Sequence, residues 1–191
     1  MQALGAGWRS AEDPEATLVR RARAGDAQAF ADLYESHLNQ VFRYFYYRLG
    51  NREDAEDLTE QTFLKAWQAI GSYDYRGAPF AAWIFRIAHN LLVDYRRRPS
   101  PTEGLDDETE VADLAAGPEE VAAQRLEAQE LGQALRQLSD VEQSVVALRF
   151  IHGLEHRTVA RMVGKSEVAT RSIQSRALSR LGRILSTAGG K

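Results

Sequence analysis

Three groups of residues have the types and spacing that chemistry needs. His152-Gly153-Leu154-Glu155-His156 matches the H-x-x-E-H arrangement with which some zinc peptidases hold a metal between two imidazoles. That chemistry requires both histidines on one helical face and a further carboxylate ligand. Gly153 lies inside the motif, where capping signals place a helix junction, so the match is expected to be coincidence. His37 and His89 lack ligand-spaced partners, and neither a Gly-rich phosphate loop nor a Ser-His-Asp or Cys-His set is readable. Nothing here argues for catalysis, a metal or a cofactor.

The second group interleaves rings with guanidinium groups: Tyr73, Tyr75, Phe80, Trp83, Phe85 and Tyr95 alternate with Arg76, Arg86, Arg96, Arg97 and Arg98. Bases stack on rings while arginines hold phosphates, so this composition suits single-stranded nucleic acid. Most of the rings must still serve as core, and Trp83 and Ile87, one helical turn apart, are expected to be buried. The third group runs from His156 to Leu185. A short helix carries Val159, Ala160 and Val163 inward, Gly164 closes it, Ser166 caps the next, and that helix buries Thr170, Ile173, Ala177 and Leu181. This is a helix-turn-helix pattern, in which the N-terminal part of the second helix faces the major groove. Glu167, Arg171, Ser172 and Ser175 then lie near base edges or phosphates, while Arg157, Arg176 and Arg180 mainly neutralise phosphates. A plain helical hairpin with a solvated basic face would show the same residues.

The elements that position these groups read as helices throughout. Phe30, Leu33, Leu38, Val41, Phe45 and Leu49 form one stripe before Gly50-Asn51 breaks it. Asn51 can cap a helix from about Arg52 to Ile70, which Gly71-Ser72 stop. Its inward face is Ala55, Thr62, Phe63, Ala66 and Ile70. Glu53, Asp54, Asp57, Glu60 and Gln61 lie opposite with Leu64 among them, a face that is either solvated or docked on a basic protein surface. Gly77-Ala78-Pro79 start a further helix, which runs toward Tyr95 and ends before Pro99 and Pro101. In the second half, Ser139-Asp140-Val141-Glu142 is a capping box ahead of Val145, Val146 and Leu148, and Gly153 can end that helix.

The chain has 191 residues, room for one domain or two small ones, and no cysteine, which removes disulfides and agrees with a reducing compartment. No apolar run approaches the ~20 residues a membrane span needs, and Met1 to Asp13 lack the character of a secretory signal, so a cytoplasmic location is expected. The net charge of −3 conceals a strong asymmetry. Between Pro99 and Glu130 ten acidic residues face a single arginine, leaving the rest of the chain at +6. Local basic patches, not the total, are the footprint to read for nucleic acid. The expected fold is all-α: two small helical domains, 14–98 and 119–187, the second containing the helix-turn-helix, joined by an acidic flexible linker over 99–118.

From Leu18 to Leu185 the chain resembles the extracytoplasmic-function sigma factors of bacterial RNA polymerase, a branch of the sigma-70 family. Arg23-Ala24-Gly25-Asp26 followed by Ala29-Phe30 and Leu33-Tyr34 looks like the family's opening helix. Glu53 to Trp67 is similar to its polymerase-binding helix, and Trp83 to Asn90 with Asp94 and Arg97 to its promoter-melting helix. Leu138-Ser139, Glu142, Leu148-Arg149-Phe150 and Gly153-Leu154 precede the helix-turn-helix as in the family. The resemblance implies a non-catalytic promoter-specificity subunit. Asp54, Asp57, Gln61 and Leu64 would bind core polymerase, with Asn90, Asp94, Arg96 and Arg97 at the minus-ten element, where a flipped base is captured near Asn90. Arg157, Glu167, Arg171, Ser172, Ser175 and Arg176 would meet the minus-thirty-five duplex. Implied partners are core RNA polymerase, promoter DNA both duplex and melted, and an anti-sigma protein, with no membrane insertion and no cofactor. Glu60-Gln61 reverses the family's usual order, Val168 stands where Gly is common, and Thr170 where Val is expected. Competing readings are an ordinary DNA-binding regulator, which would bind a symmetric operator without polymerase, a zinc hydrolase on His152 and His156, and a protein-only adaptor.

Overall fold

The computed structural model describes residues 14–73, 79–97 and 130–188, and every regular element among them is helical. The linker expected over 99–118, the second unit's start near Glu119, and Tyr75, Arg76, Gly77, Ala78 and Arg98 lie outside those residues.

Helix α1 (Pro14–Arg23) leads into a turn in which Gly25 takes φ 93°. The Asp26 carboxylate then caps α2 (Ala27–Leu49), accepting the amides of Gln28 at 3.0 Å and Ala29 at 3.1 Å. Those amides, with Arg21 beside them, hold the Asp26 carboxyl below its ordinary range. Gly50 ends α2 in the left-handed conformation at φ 74°, and a Cβ there would also press on the Arg136 guanidinium at 3.2 Å. Asn51 caps α3 (Arg52–Ala69) through the Asp54 amide at 3.1 Å, and a 3-10 turn, Ile70–Ser72, finishes it. α4 (Phe80–Arg97) packs back against α3 and completes the first unit.

The second unit comprises α5 (130–136), α6 (Asp140–Val146), a π-helical turn Ala147–Ile151, α7 (His156–Met162) and α8 (Glu167–Ala188). The expected capping box is present: the Ser139 hydroxyl accepts the Glu142 amide while the Glu142 carboxylate accepts the Ser139 amide at 2.9 Å. Gly153 and Gly164 both take positive φ, 64° and 65°, where the chain turns before and after α7. Ser166 Oγ accepts the Ala169 amide at 3.2 Å, capping α8.

Tyr44, Phe45, Phe80, Phe85, Leu33, Ile84 and Leu92 are fully buried in the first unit. Each side chain of that size stabilises the fold by about 1.5–3 kcal/mol relative to exposure. The α2 stripe is confirmed at Leu33, Val41 and Phe45, with Phe30, Leu38 and Leu49 half-buried beside it. Its C-terminal half is covered over a wider arc, however, because Tyr44, Tyr47 and Arg48 beside the stripe are buried too. The second unit covers them: Tyr47 enters a cluster with Ala134, Leu135, Leu138, Val146, Ala177 and Leu181. Trp83, Ile87 and Val163, expected inside, are half-buried at the margin of the core.

Candidate nucleic-acid and polymerase faces

On α3 a hydrophobic face and a polar face follow directly from the spacing. Ala55, Leu58, Thr62, Phe63 and Ala66 point inward, while Asp57, Glu60 and Gln61 are exposed around Leu64, itself 57% exposed. Asp54, Asp57, Gln61 and Leu64 occupy successive turns of one side, the arrangement a docking face requires. Asp54 is partly covered and does a second job, accepting the Tyr95 hydroxyl at 2.7 Å across to α4. Burial, reinforced by that carboxylate, pushes the Tyr95 hydroxyl up to about 12.

α4 divides its polar residues between two directions. Arg86, Asn90, Asp94 and Arg97 are exposed at intervals of four, four and three, hence one continuous stripe. Arg96 points elsewhere. It donates to the Asp140 carboxylate, to the Gln143 side-chain carbonyl at 3.2 Å and to the Arg48 backbone carbonyl at 2.9 Å. Sequence reasoning grouped Arg96 with Arg97 as DNA-facing, but the structure places the two on different sides of the helix end. Burial and the nearby Arg48 charge lower Arg96 to about 10, so it remains a cation at neutral pH. Of the six rings considered for base stacking, Tyr73, Phe80 and Phe85 are buried and Trp83 and Tyr95 half-buried; Tyr75 is outside the described residues.

A polar and aromatic seam joins the two units beside Arg96. Arg48 donates to the Tyr44 hydroxyl at 2.8 Å and to the Asp140 carbonyl at 3.2 Å. The Tyr44 hydroxyl also hydrogen-bonds His89 Nδ1 at 3.0 Å, in a buried setting that disfavours a second cation beside Arg48. Burial and the Arg48 charge do lower His89 to about 4. From the second unit, His152 lies on Phe85 with ring centroids 3.7 Å apart and edge-on to Tyr44 at 5.6 Å. Neither of its ring nitrogens has a hydrogen-bond partner, and burial lowers it to about 3, so it is inserted as a neutral ring. His156 meanwhile bonds Gln174 Oε1 at 2.9 Å on α8. The H-x-x-E-H residues are thus split between the seam and the α7–α8 contact, and no cluster of three metal-ligating side chains exists among the described residues. Sequence inspection missed this seam; the one available signal was a cation, Arg48, at a position flanked by aromatic residues.

α8 carries the cleanest separation of faces. Thr170, Ile173, Ala177 and Leu181 are buried, and the Thr170 hydroxyl donates to the Ser166 carbonyl at 2.9 Å, so a polar residue occupies this inward position without an orphaned group. Val168, Arg171, Ser172 and Ser175 form the exposed stripe opposite. Glu167 lies between Arg157 at 3.3 Å and Arg171 at 3.9 Å, and Arg176 is exposed one turn beyond Ser172. The pairs are exposed, hence weak, and both arginines exchange partners at small cost.

The described residues thus form two helical units, the second carrying a helix-turn-helix. The sigma-70 region 2 profile matches residues 33–101 and the sigma-70 region 4 profile residues 134–182. The chain belongs to the sigma-70 family, among the extracytoplasmic-function sigma factors. It is 40% identical over 172 residues to the ECF RNA polymerase sigma factor BldN of Streptomyces coelicolor, an alignment covering 88% of this chain and 64% of that protein's length. It is 32% identical over 177 residues to the RNA polymerase sigma factor NccH of Alcaligenes xylosoxydans, covering 88% and 92%. The fold matches CnrH of Cupriavidus metallidurans, solved in complex with the cytosolic domain of CnrY, with a TM-score of 0.67 and 27% identity over 92% of this chain and 99% of that one. No helix among the described residues is long and apolar enough to cross a membrane.

Proposed function

We propose that this chain is a promoter-specificity subunit, itself without catalytic activity, that docks on core RNA polymerase through α3 and meets promoter DNA with α4 and α8. The observation that carries the reading is the exposed stripe of α8, set against a buried opposite face in the second element of a helix-turn-helix. Asp54, Asp57, Gln61 and Leu64 supply an acidic surface around one exposed leucine, which suits a basic protein groove. Asn90, Asp94 and Arg97 offer polar contacts to a melted minus-ten strand, and Arg96 joins them once it leaves Asp140. A polar pocket can read a flipped base edge that the duplex hides. Arg171, Ser172 and Ser175 are set to read the minus-thirty-five duplex, with Glu167 beside them and Arg157 and Arg176 holding phosphates. The site of action is the cytoplasm, where polymerase and promoter are. A masking protein is the expected negative partner, as supported by the bound CnrY domain in the CnrH structure.

The test is run-off transcription with sigma-free core polymerase on a promoter-fragment library, comparing the protein with Asp57→Arg. Specific starts that disappear on charge reversal are expected. Absence of any start, combined with a tight shift of a symmetric duplex by the protein alone, would replace this reading with that of an ordinary operator-binding regulator.

A further inference from the structure

The most exposed large apolar side chain among the described residues is Val168, at 79%. Scattered exposed apolar residues need no explanation, but three features set this one apart. It is the second residue of α8, at the leading end of the helix that a helix-turn-helix presents to the major groove. It also heads the stripe that continues through Arg171, Ser172 and Ser175, so whatever those residues approach, Val168 approaches too. Its immediate polar neighbour Glu167 is held sideways by Arg157 and Arg171, which leaves the valine methyl groups standing clear.

Valine is also well suited to a contact of this kind. Branching at Cβ leaves essentially one χ1 rotamer in a helix, so both methyl groups are fixed before binding and little entropy is lost on contact. An apolar group in the major groove has one complementary feature among the four bases, the C5-methyl of thymine. We infer that Val168 is a specificity-determining residue, reading a thymine methyl in the upstream duplex element. This rests on the promoter-specificity reading above and adds a position to it. With α8 rising 1.5 Å per residue, Val168 precedes Arg171 by about 4.5 Å along the axis. Base pairs are spaced by about 3.4 Å, so the thymine lies one or two base pairs from the base that Arg171 reads.

The experiment removes the methyl group alone. On a promoter used by this protein with core polymerase, each upstream-element thymine is replaced singly by deoxyuridine, which pairs identically but lacks the methyl. Open-complex formation is then measured for the wild type, Val168→Ala and Val168→Ile. One position within two base pairs of the Arg171 contact is expected to lose about fourfold with the wild type, the effect of one buried methyl group. Val168→Ile should keep the thymine-to-uracil ratio, whereas Val168→Ala should bring it close to one. A scan in which no position responds, or a ratio unchanged in Val168→Ala, overturns the assignment while leaving the sigma reading intact. If the wild type gives no starts even on thymine-containing templates, the promoter-specificity reading fails and the assignment fails with it.

Discussion

The C-terminal end of α4 and the leading end of α8 are both proposed to meet DNA, yet the molecule presents them differently. α8 lays its stripe in solvent over buried Thr170, Ile173, Ala177 and Leu181, the last two sharing a cluster with Ala134, Leu135, Leu138 and Val146 and with Tyr47 of the first unit. α4 ends at a junction. Arg97 is exposed, but Arg96 is clamped by Asp140, Gln143 and the Arg48 carbonyl, the first two belonging to the other unit. The proposed duplex reading by α8 would therefore need only exchange of weak exposed ion pairs. On the proposed reading, use of Arg96 would need α6 to withdraw, which would link that part of the α4 contact to separation of the two units. Polymerase, by spreading the units over a promoter, would supply the opening that α4 requires and α8 does not.

The largest effect expected on this contrast comes from Phe85. Its ring is fully buried, touching Tyr44 inside its own unit and His152 from the other. Phe85→Ala should cost about 3–5 kcal/mol, the range for truncating a buried phenylalanine. Urea denaturation checks it, and a loss below about 1 kcal/mol would show that the seam tolerates the cavity by collapse.

Acid should act on the same seam with a defined sign. His89 and His152 are lowered to about 4 and about 3 in the folded protein, against about 6.5 when exposed. Between those values the unfolded or opened chain binds more protons than the closed one, so stability is complete above about pH 6.5 and falls as the pH drops. From pH 7 to pH 5 the His152 contribution is on the order of 2 kcal/mol. His152→Phe keeps a ring on Phe85 and removes the titration. Its denaturation midpoint should vary less between these pH values than that of the wild type. Equal slopes in both proteins would show that His152 is not the responsible group.

How much of this was legible in the sequence follows the same division. α8 was readable almost residue by residue, because its inward positions obey one helical period whatever packs against them. The caps at Asn51, Ser139 and Ser166 and the turns at Gly153 and Gly164 were legible for the same reason: each depends on neighbours within a few positions. The α4 junction was not. Arg96 and Arg97 are adjacent and chemically identical, and what separates them is a set of distant contacts made by Arg96 alone, with Arg48, Asp140 and Gln143, 44 to 48 residues away. His152 suggested a metal motif because its spacing to His156 is local, whereas its actual neighbours, Tyr44 and Phe85, come from distant helices. Arg48 likewise needed the second unit to explain its burial.

Contact energetics should separate base readers from phosphate holders on α8. Arg171→Ala is expected to cost about 1–3 kcal/mol of discrimination at a single base pair of the duplex element, and Arg176→Ala to weaken all sequences alike while lowering the salt slope by about one. Competition binding with randomised duplexes at two salt concentrations measures both. Uniform loss for Arg171→Ala would move it to the phosphate-holding class.

The smallest effect bears most directly on the difference between the two ends. Asp140 is largely exposed, with its side chain 70% accessible, so its pair with Arg96 falls among the weak ones, worth less than about 1 kcal/mol. Asp140→Asn should hardly move the denaturation midpoint. It should nevertheless raise binding to a forked minus-ten template by up to about fivefold, because energy spent on freeing Arg96 is no longer subtracted from binding. Binding of α8 to its duplex should stay unchanged, since no Asp140 contact reaches that stripe. The chain has no cysteine, so a pair introduced at exposed Gln68 and Ser179 can report the distance between units by fluorescence transfer in the same samples. If Asp140→Asn separates the units without improving fork binding, Arg96 is a structural residue of the junction and α4 meets DNA through Asn90, Asp94 and Arg97 alone. If fork and duplex binding rise together, the two ends are not independent, and opening exposes more than one arginine.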